Sequence, residues 1–286
     1  MEKLDRLVWT AGLVVVSYGV RIGIRTNDPE VLERVRAALP PACDAADGTR
    51  VSSLFSLRVG GEGSRPGTRH FHLLYTNSAR VARTHDLDDV LVILEREVRM
   101  WIAEHAHRRV FVHAGVVAWK GRALLLPGLS FSGKTTLVTA LMQAGAECYS
   151  DEYAVLDSKG LVHAYPRPMS IRLPAGGVEV RPLSGGPRPP LEVGVVALCK
   201  YEAGAQWKPR RLSRGQAALG LLANALPARY NPVATMKALQ RVAASAVTVR
   251  GKRGEAEEVA HALLALMDET VPRRRGGDAA LRFSVC

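Results

Sequence analysis

The chain has 286 residues, 47% apolar and 23% charged, which excludes collagen-like, disordered and disulfide-stapled miniprotein classes and allows one large domain or two small ones. The net charge of +12, mostly arginine, reads either as an anionic partner or as a genome that writes Arg for Lys. Nucleic acid is disfavoured, because the only tight basic cluster is Arg273-Arg274-Arg275 and no interleaved aromatics accompany it.

Four scattered cysteines (Cys43, Cys148, Cys199, Cys286) without a CxxC pair fit a reducing compartment. No run reaches the roughly 18 apolar residues of a membrane span, so no membrane partner is expected. The leading charges cancel (Glu2 and Asp5 against Lys3 and Arg6) and no A-x-A cleavage site follows. The pattern instead continues into the period-two alternation at 19–25, which reads as strand, and a cytoplasmic location is expected. Asp28-Pro29-Glu30 opens a helix with apolar Val31, Val35 and Leu39, and Pro40-Pro41 ends it. Strands are predicted at 51–59 and 70–75 around a Gly/Ser/Pro loop at 60–68. Asp86 caps a helix over 87–106 with Val90, Ile93, Leu94, Val98, Trp101 and Ile102 on one face. Residues 1–106 thus read as an N-terminal α+β region closed by a linking helix.

From Arg109 the texture changes. Strands are predicted at 110–113, 115–119 and 122–126, with a turn at Lys120-Gly121. A glycine loop, a helix over 134–144 stopped by Gly145, and a strand pair turning at Ser158-Lys159-Gly160 come next. A Pro/Gly-rich loop at 174–190 precedes a buried-type strand at 193–201 and helices over 214–225, 233–245 and 255–269. Residues 107–271 read as the second domain, and 272–286 as a mobile basic tail.

Gly128-Leu129-Ser130-Phe131-Ser132-Gly133-Lys134-Thr135 fits G-x-x-x-x-G-K-[ST], between the apolar run 123–126 and a helix with Leu137 and Leu141 at i, i+4. Glycines let backbone N–H groups turn onto phosphate oxygens, and the helix N-terminus adds positive potential. The candidate nucleotide-binding residues are Gly128, Ser130, Ser132, Gly133, Lys134, Thr135 and Thr136. Lys134 would reach the β- and γ-phosphates and Thr135 would ligate Mg²⁺, so ATP and Mg²⁺ are the expected cofactors. Asp151-Glu152 follows Lys134 by 17 and 18 residues, where the next strand should end. Such a pair can divide labour, one carboxylate on the metal beside Thr135 (assigned to Asp151) and one accepting a proton. His113, 21 residues before Lys134, is either a satisfied core histidine or a further catalytic group.

His113-Ala-Gly-Val, the glycine loop and Ser150-Asp151-Glu152 occur in the order and spacing of HPr serine kinase/phosphorylase, and the segment 113–156 resembles that family. The nearest likeness is to HPr-kinase-like proteins of bacterial gene clusters, some of which phosphorylate modified peptides such as lasso-peptide precursors. The resemblance implies an α/β protein with a P-loop kinase domain of the HPr-kinase/phosphoenolpyruvate-carboxykinase type behind the small N-terminal region. It also implies multimers, a base at Glu152 assisted by His113, and phosphates held by Lys134. This chain departs from the pattern at Glu152 (Asp in the family), Phe131 (Gly) and Ser170 (a metal-binding Glu), so Asp151 and Glu152 both stay open as the base. Arg172, Arg229 and Arg250 are the candidates for the family's late catalytic arginine.

Leu212-Ser-Arg-Gly-Gln216 mimics an ABC-type signature, but no acid follows in 221–230, and Ser213-x-x-Gln216 reads better as a helix capping box. No N-K-x-D motif supports a GTPase. The expected activity is a kinase acting on a hydroxyl, a seryl group of a peptide or protein. The alternatives are a small-molecule hydroxyl kinase and a non-catalytic nucleotide-binding scaffold.

Overall fold

The computed structural model describes residues 2–61, 70–128, 132–172, 177–182 and 188–271. After a four-residue helix α1 (Glu2–Asp5), strands β1 (Ala11–Ser17) and β2 (Val20–Thr26) form a hairpin. Its Tyr18-Gly19 turn has φ of 48° and 82°, the pair of positive values a tight two-residue hairpin needs. Asp28 accepts a hydrogen bond from the Glu30 amide and starts a 3-10 turn (Pro29–Val31) that runs into α2 (Leu32–Ala38). Strands β3 (Asp44–Ala45), β4 (Ser53–Arg58), β5 (His72–Thr76) and β6 (Ala79–Thr84) complete a sheet of order β3-β1-β2-β4-β5-β6. The long helix α3 (Leu87–His105), capped by Asp86, lays Val90, Leu94, Val98 and Ile102 onto Ile22, Ile24, Phe55 and Leu57 of this sheet.

The second sheet begins with β7 (Val110–Trp119) and β8 (Arg122–Pro127), a hairpin turning at Lys120-Gly121 with φ of 47° and 80°. Then follow α4 (Lys134–Gln143), β9 (Glu147–Ser150), β10 (Tyr153–Leu156), β11 (Val162–His163), and a separate hairpin of β12 (Met169–Arg172) with β13 (Val178–Arg181). Strand β14 (Glu192–Tyr201), the short β15 (Arg210–Arg211), α5 (Arg214–Leu222), α6 (Pro232–Ser245), β16 (Val247–Arg253) and α7 (Ala256–Thr270) finish the chain. The strand order is β11-β10-β7-β8-β14-β16-β15, with β9 also paired to β7; β8, β14 and β16 run parallel.

Helices cover both faces of this sheet. On one, α4 and α7 bury Leu137, Leu141, Val259 and Leu263 against Leu124, Leu126, Val195 and Val249. On the other, α5 and α6 bury Leu221, Leu239 and Val242 against Leu125 and Val196. Two covered faces explain why 123–126 and 193–197 are nearly uninterrupted apolar runs. Between the sheets, Phe111 meets Tyr18, Tyr153 and Tyr165 edge-on, with ring centroids 5.0, 5.5 and 6.1 Å apart.

The protein is α/β with mixed sheets. Four features differ from expectation. The two strands predicted at 110–119 are one, because the sheet partners on either side keep residue 114 in register. Strands β6 and β16 occupy segments assigned to no element, and β13, paired to β12, lies inside the predicted 174–190 loop. The capping box at Ser213 and Gln216 is present. The tail 272–286 lies outside the described residues. Among those described, no helix is long and apolar enough to cross a membrane.

Candidate functional site

Strand β7 organises the site. On one edge Ser150 faces Val116 and Tyr153 faces His113, so Asp151 and Glu152 fall opposite Gly115 and Ala114. On the other edge Pro127, at the end of β8, faces Ala114. The acid pair and the start of the glycine loop therefore flank β7 from its two edges at Ala114. Main-chain bonds fix the arrangement: Ala114 N–H donates to Glu152 O and Gly128 N–H to His113 O, each at 3.1 Å. Ser150 Oγ accepts from the amides of Glu152 and Tyr153 (3.1 and 3.0 Å), pinning the step that carries the two carboxylates. Gly115 has no room for a side chain, since a Cβ there would lie 2.6 Å from Val138 Cγ2 of α4. That absence lets the helix behind the glycine loop pack flush on β7.

Of the loop, Gly128, Ser132 and Gly133 are described, and Ser130 lies outside the described residues. Gly133 has φ of 81°, a left-handed conformation that suits glycine, and caps the N-terminus of α4. A Cβ on Gly128 would stand 2.7 Å from Ser132 Oγ. Lys134 opens α4 and reaches back to donate from Nζ to Gly128 O at 2.6 Å. Thr135, half-buried, and Thr136, exposed, share the helix's first turn.

Around Lys134 the charged groups converge. Burial lowers the Lys134 ammonium below its ordinary pKa, while Glu152 and Asp151 act in the opposite sense. The His113 imidazole is likewise lowered, by burial first and by Lys134, against the pull of Glu152. The shift favours the neutral imidazole. His113 Nε2 lies 3.8 Å from Glu152 Oε1, and Arg99 Nη1 donates to the same oxygen at 2.7 Å. Asp151 is 7% exposed, while the Glu152 side chain is 24% exposed. His113, Lys134, Asp151 and Glu152 thus belong to one cluster.

Two residues of this cluster's surroundings escaped the sequence reading. Arg99 on α3 is one; its Glu95 partner four residues earlier is visible in sequence, but as an ordinary helix-surface pair. Arg253, 3% exposed at the end of β16, is the other: its Nη2 donates to Gly133 O at 2.9 Å. Of the three arginines considered instead, Arg250 lies three residues earlier on β16, where Nη2 would be 3.3 Å from a Cβ on Gly220 of α5. Arg229 sits beside the Tyr230 ring. Arg172 ends β12, and its side chain lies outside the described residues.

Among the described residues no group of three or more His, Cys, Asp or Glu could hold a metal ion. Thr135 and Asp151 supply one hydroxyl and one carboxylate. Such a sparse oxygen set fits an ion that keeps its waters and takes its remaining ligands from phosphates. The cluster combines a helix start, a cation, a part-exposed carboxylate and an imidazole, groups of the kind that phosphate binding and proton transfer call for. Compared with protein-family models and with curated proteins, the chain matches none.

Proposed function

We propose that the chain is an ATP-dependent phosphotransferase that moves the γ-phosphate onto an alcohol, a seryl hydroxyl of a peptide or protein, and that residues 107–271 are a P-loop kinase domain of the HPr-kinase type. One observation carries this reading: Glu152 and the glycine loop flank Ala114 of β7, with His113 and Lys134 alongside. On this reading the amides of the loop and the Lys134 ammonium neutralise charge on the β- and γ-phosphates. Glu152 is the base, since its carboxylate is the more open of the two and stands nearest His113. The acceptor oxygen bonds to the γ-phosphorus as the bond to the β,γ-bridging oxygen breaks; the proton passes to Glu152 and ADP leaves. His113 orients that carboxylate. Thr135 and Asp151 would hold Mg²⁺, which when bound supplies positive charge to the phosphate oxygens. The +12 charge favours an acidic acceptor.

The test is incubation of the full chain with γ-labelled ATP, Mg²⁺ and a library of acidic and neutral serine peptides alongside small alcohols. Label on a peptide, absent with Lys134→Ala and Glu152→Gln, supports the reading. Label on small alcohols alone changes the substrate class. ATP bound without turnover would make the protein a nucleotide-binding scaffold, and no ATP binding would remove the reading altogether.

A further inference from the structure

We propose that Arg99, carried by α3 of the N-terminal region, is a positioning residue of the transfer centre that fixes the Glu152 carboxylate for the acceptor's proton; this rests on the kinase reading above. Arg99 is 9% exposed and makes three hydrogen bonds: Nη1 to Glu152 Oε1 (2.7 Å), Nη1 to Tyr153 Oη (3.0 Å) and Nε to Glu95 Oε1 (2.9 Å). Glu95 is itself held from the other side by Arg167, whose Nε lies 3.3 Å from Oε1 and Nη2 3.5 Å from Oε2. Two guanidinium groups and two carboxylates so form an electrically balanced chain, Arg167–Glu95–Arg99–Glu152, running from the segment before β12 through α3 to the candidate base.

The planar guanidinium is what the job requires. It engages Glu95 through Nε and Glu152 through Nη1 at the same time, whereas a lysine ammonium is a point charge on a flexible stem. Arg99 donates to Oε1 of Glu152, and the nearest approach of His113, at 3.8 Å, is to the same oxygen. Among the described residues no hydrogen bond reaches Oε2, the oxygen that this arrangement leaves to the incoming hydroxyl. The N-terminal region then contributes to chemistry performed on the second sheet.

The experiment uses the full chain, steady-state phosphate release from Mg·ATP with water as surrogate acceptor, and binding of a fluorescent N-methylanthraniloyl-ATP. Arg99→Ala should lower kcat about 10²-fold, as expected for a misaligned reacting group, with nucleotide affinity unchanged. Added guanidinium, below denaturing concentration, should restore part of that rate in Arg99→Ala but none in Glu152→Gln. Glu95→Gln, a milder change of equal size, should lower kcat in the same direction. Unchanged kcat in either variant overturns the proposal, as does a folded, nucleotide-binding Arg99→Ala protein that guanidinium fails to rescue. If Arg99→Ala does not fold, Glu95→Gln decides. Unsubstituted protein that neither binds nor turns over ATP overturns the kinase reading and this proposal together; turnover insensitive to Arg99 overturns this proposal alone.

Discussion

The Arg253 guanidinium donates a 2.9 Å hydrogen bond to the main-chain carbonyl of Gly133, tying the last strand of the second sheet to the glycine loop. Arg253→Ala leaves that carbonyl without this donor. Gly133 O keeps its helix bond from Leu137 N–H at 3.2 Å, so the loss should cost about 1.5–3 kcal/mol, the usual net worth of a hydrogen bond to a charged group. It should also weaken nucleotide binding, because the start of α4 loses its tie to β16. Urea unfolding and titration with the fluorescent nucleotide measure the two effects, and unchanged affinity would reduce Arg253 to a packing role.

Lys134→Ala should abolish transfer while circular dichroism stays that of the unsubstituted protein, since the bond from Nζ to Gly128 O joins two ends of one loop rather than two elements of the fold. His113→Ala should slow transfer by about 10²–10⁴-fold, the range of acid–base assistance. Single-turnover rates separate the two variants, and a His113→Ala protein at full rate would make that side chain part of the packing alone.

Gly115→Ala places a methyl group 2.6 Å from Val138 Cγ2. Overpacking of this kind costs about 1–3 kcal/mol. The Tm should fall, and adding Val138→Ala should recover part of the loss by vacating the contested volume. A double-mutant cycle in thermal unfolding checks the coupling; additive effects would mean that α4 does not bear on β7 at this point.

Alkaline pH should destabilise the protein. Burial pushes the thiols of Cys148 and Cys199 from 9.0 up to about 12 and that of Cys43 to about 11, and burial lifts the Tyr153 phenol from 10.0 to about 12. The unfolded chain therefore loses these protons at lower pH than the folded one. Stability from these groups is complete below pH 9 and drains away as pH rises towards 12. Urea midpoints at neutral and alkaline pH, with phenolate absorbance followed in parallel, give the readout.

Much of this architecture is legible in the chain. The caps at Asp28, Asp86 and Ser213, and the turns at Lys120-Gly121 and Gly145, are local chemistry, and local chemistry is what a sequence displays. The placement of Asp151-Glu152 beyond β9 followed from spacing, because an antiparallel return from α4 has little freedom in length. Strand β16 was hidden because only Val247 and Val249 alternate before Arg250, Lys252 and Arg253 make the segment look like a charged loop. It is a strand because β14 supplies its parallel partner, a contact about 50 residues away. Arg253 shared that fate. Arg99 was obscured differently: on a helix rich in charge, nothing local distinguishes a guanidinium facing water from one reaching across to Glu152.

The seam around Phe111 and the buried Arg99 ion pairs have a bearing on how the molecule comes apart. Were the first sheet to melt while the second persisted, Glu152 would lose its neutralising partner and the rings of Tyr153 and Tyr165 would meet water along the stripped edge. Stranding the part-buried Glu152 carboxylate without its guanidinium partner is a penalty that discourages half-folded species. Denaturation is accordingly expected to be cooperative across both sheets, with calorimetric and van't Hoff enthalpies in agreement.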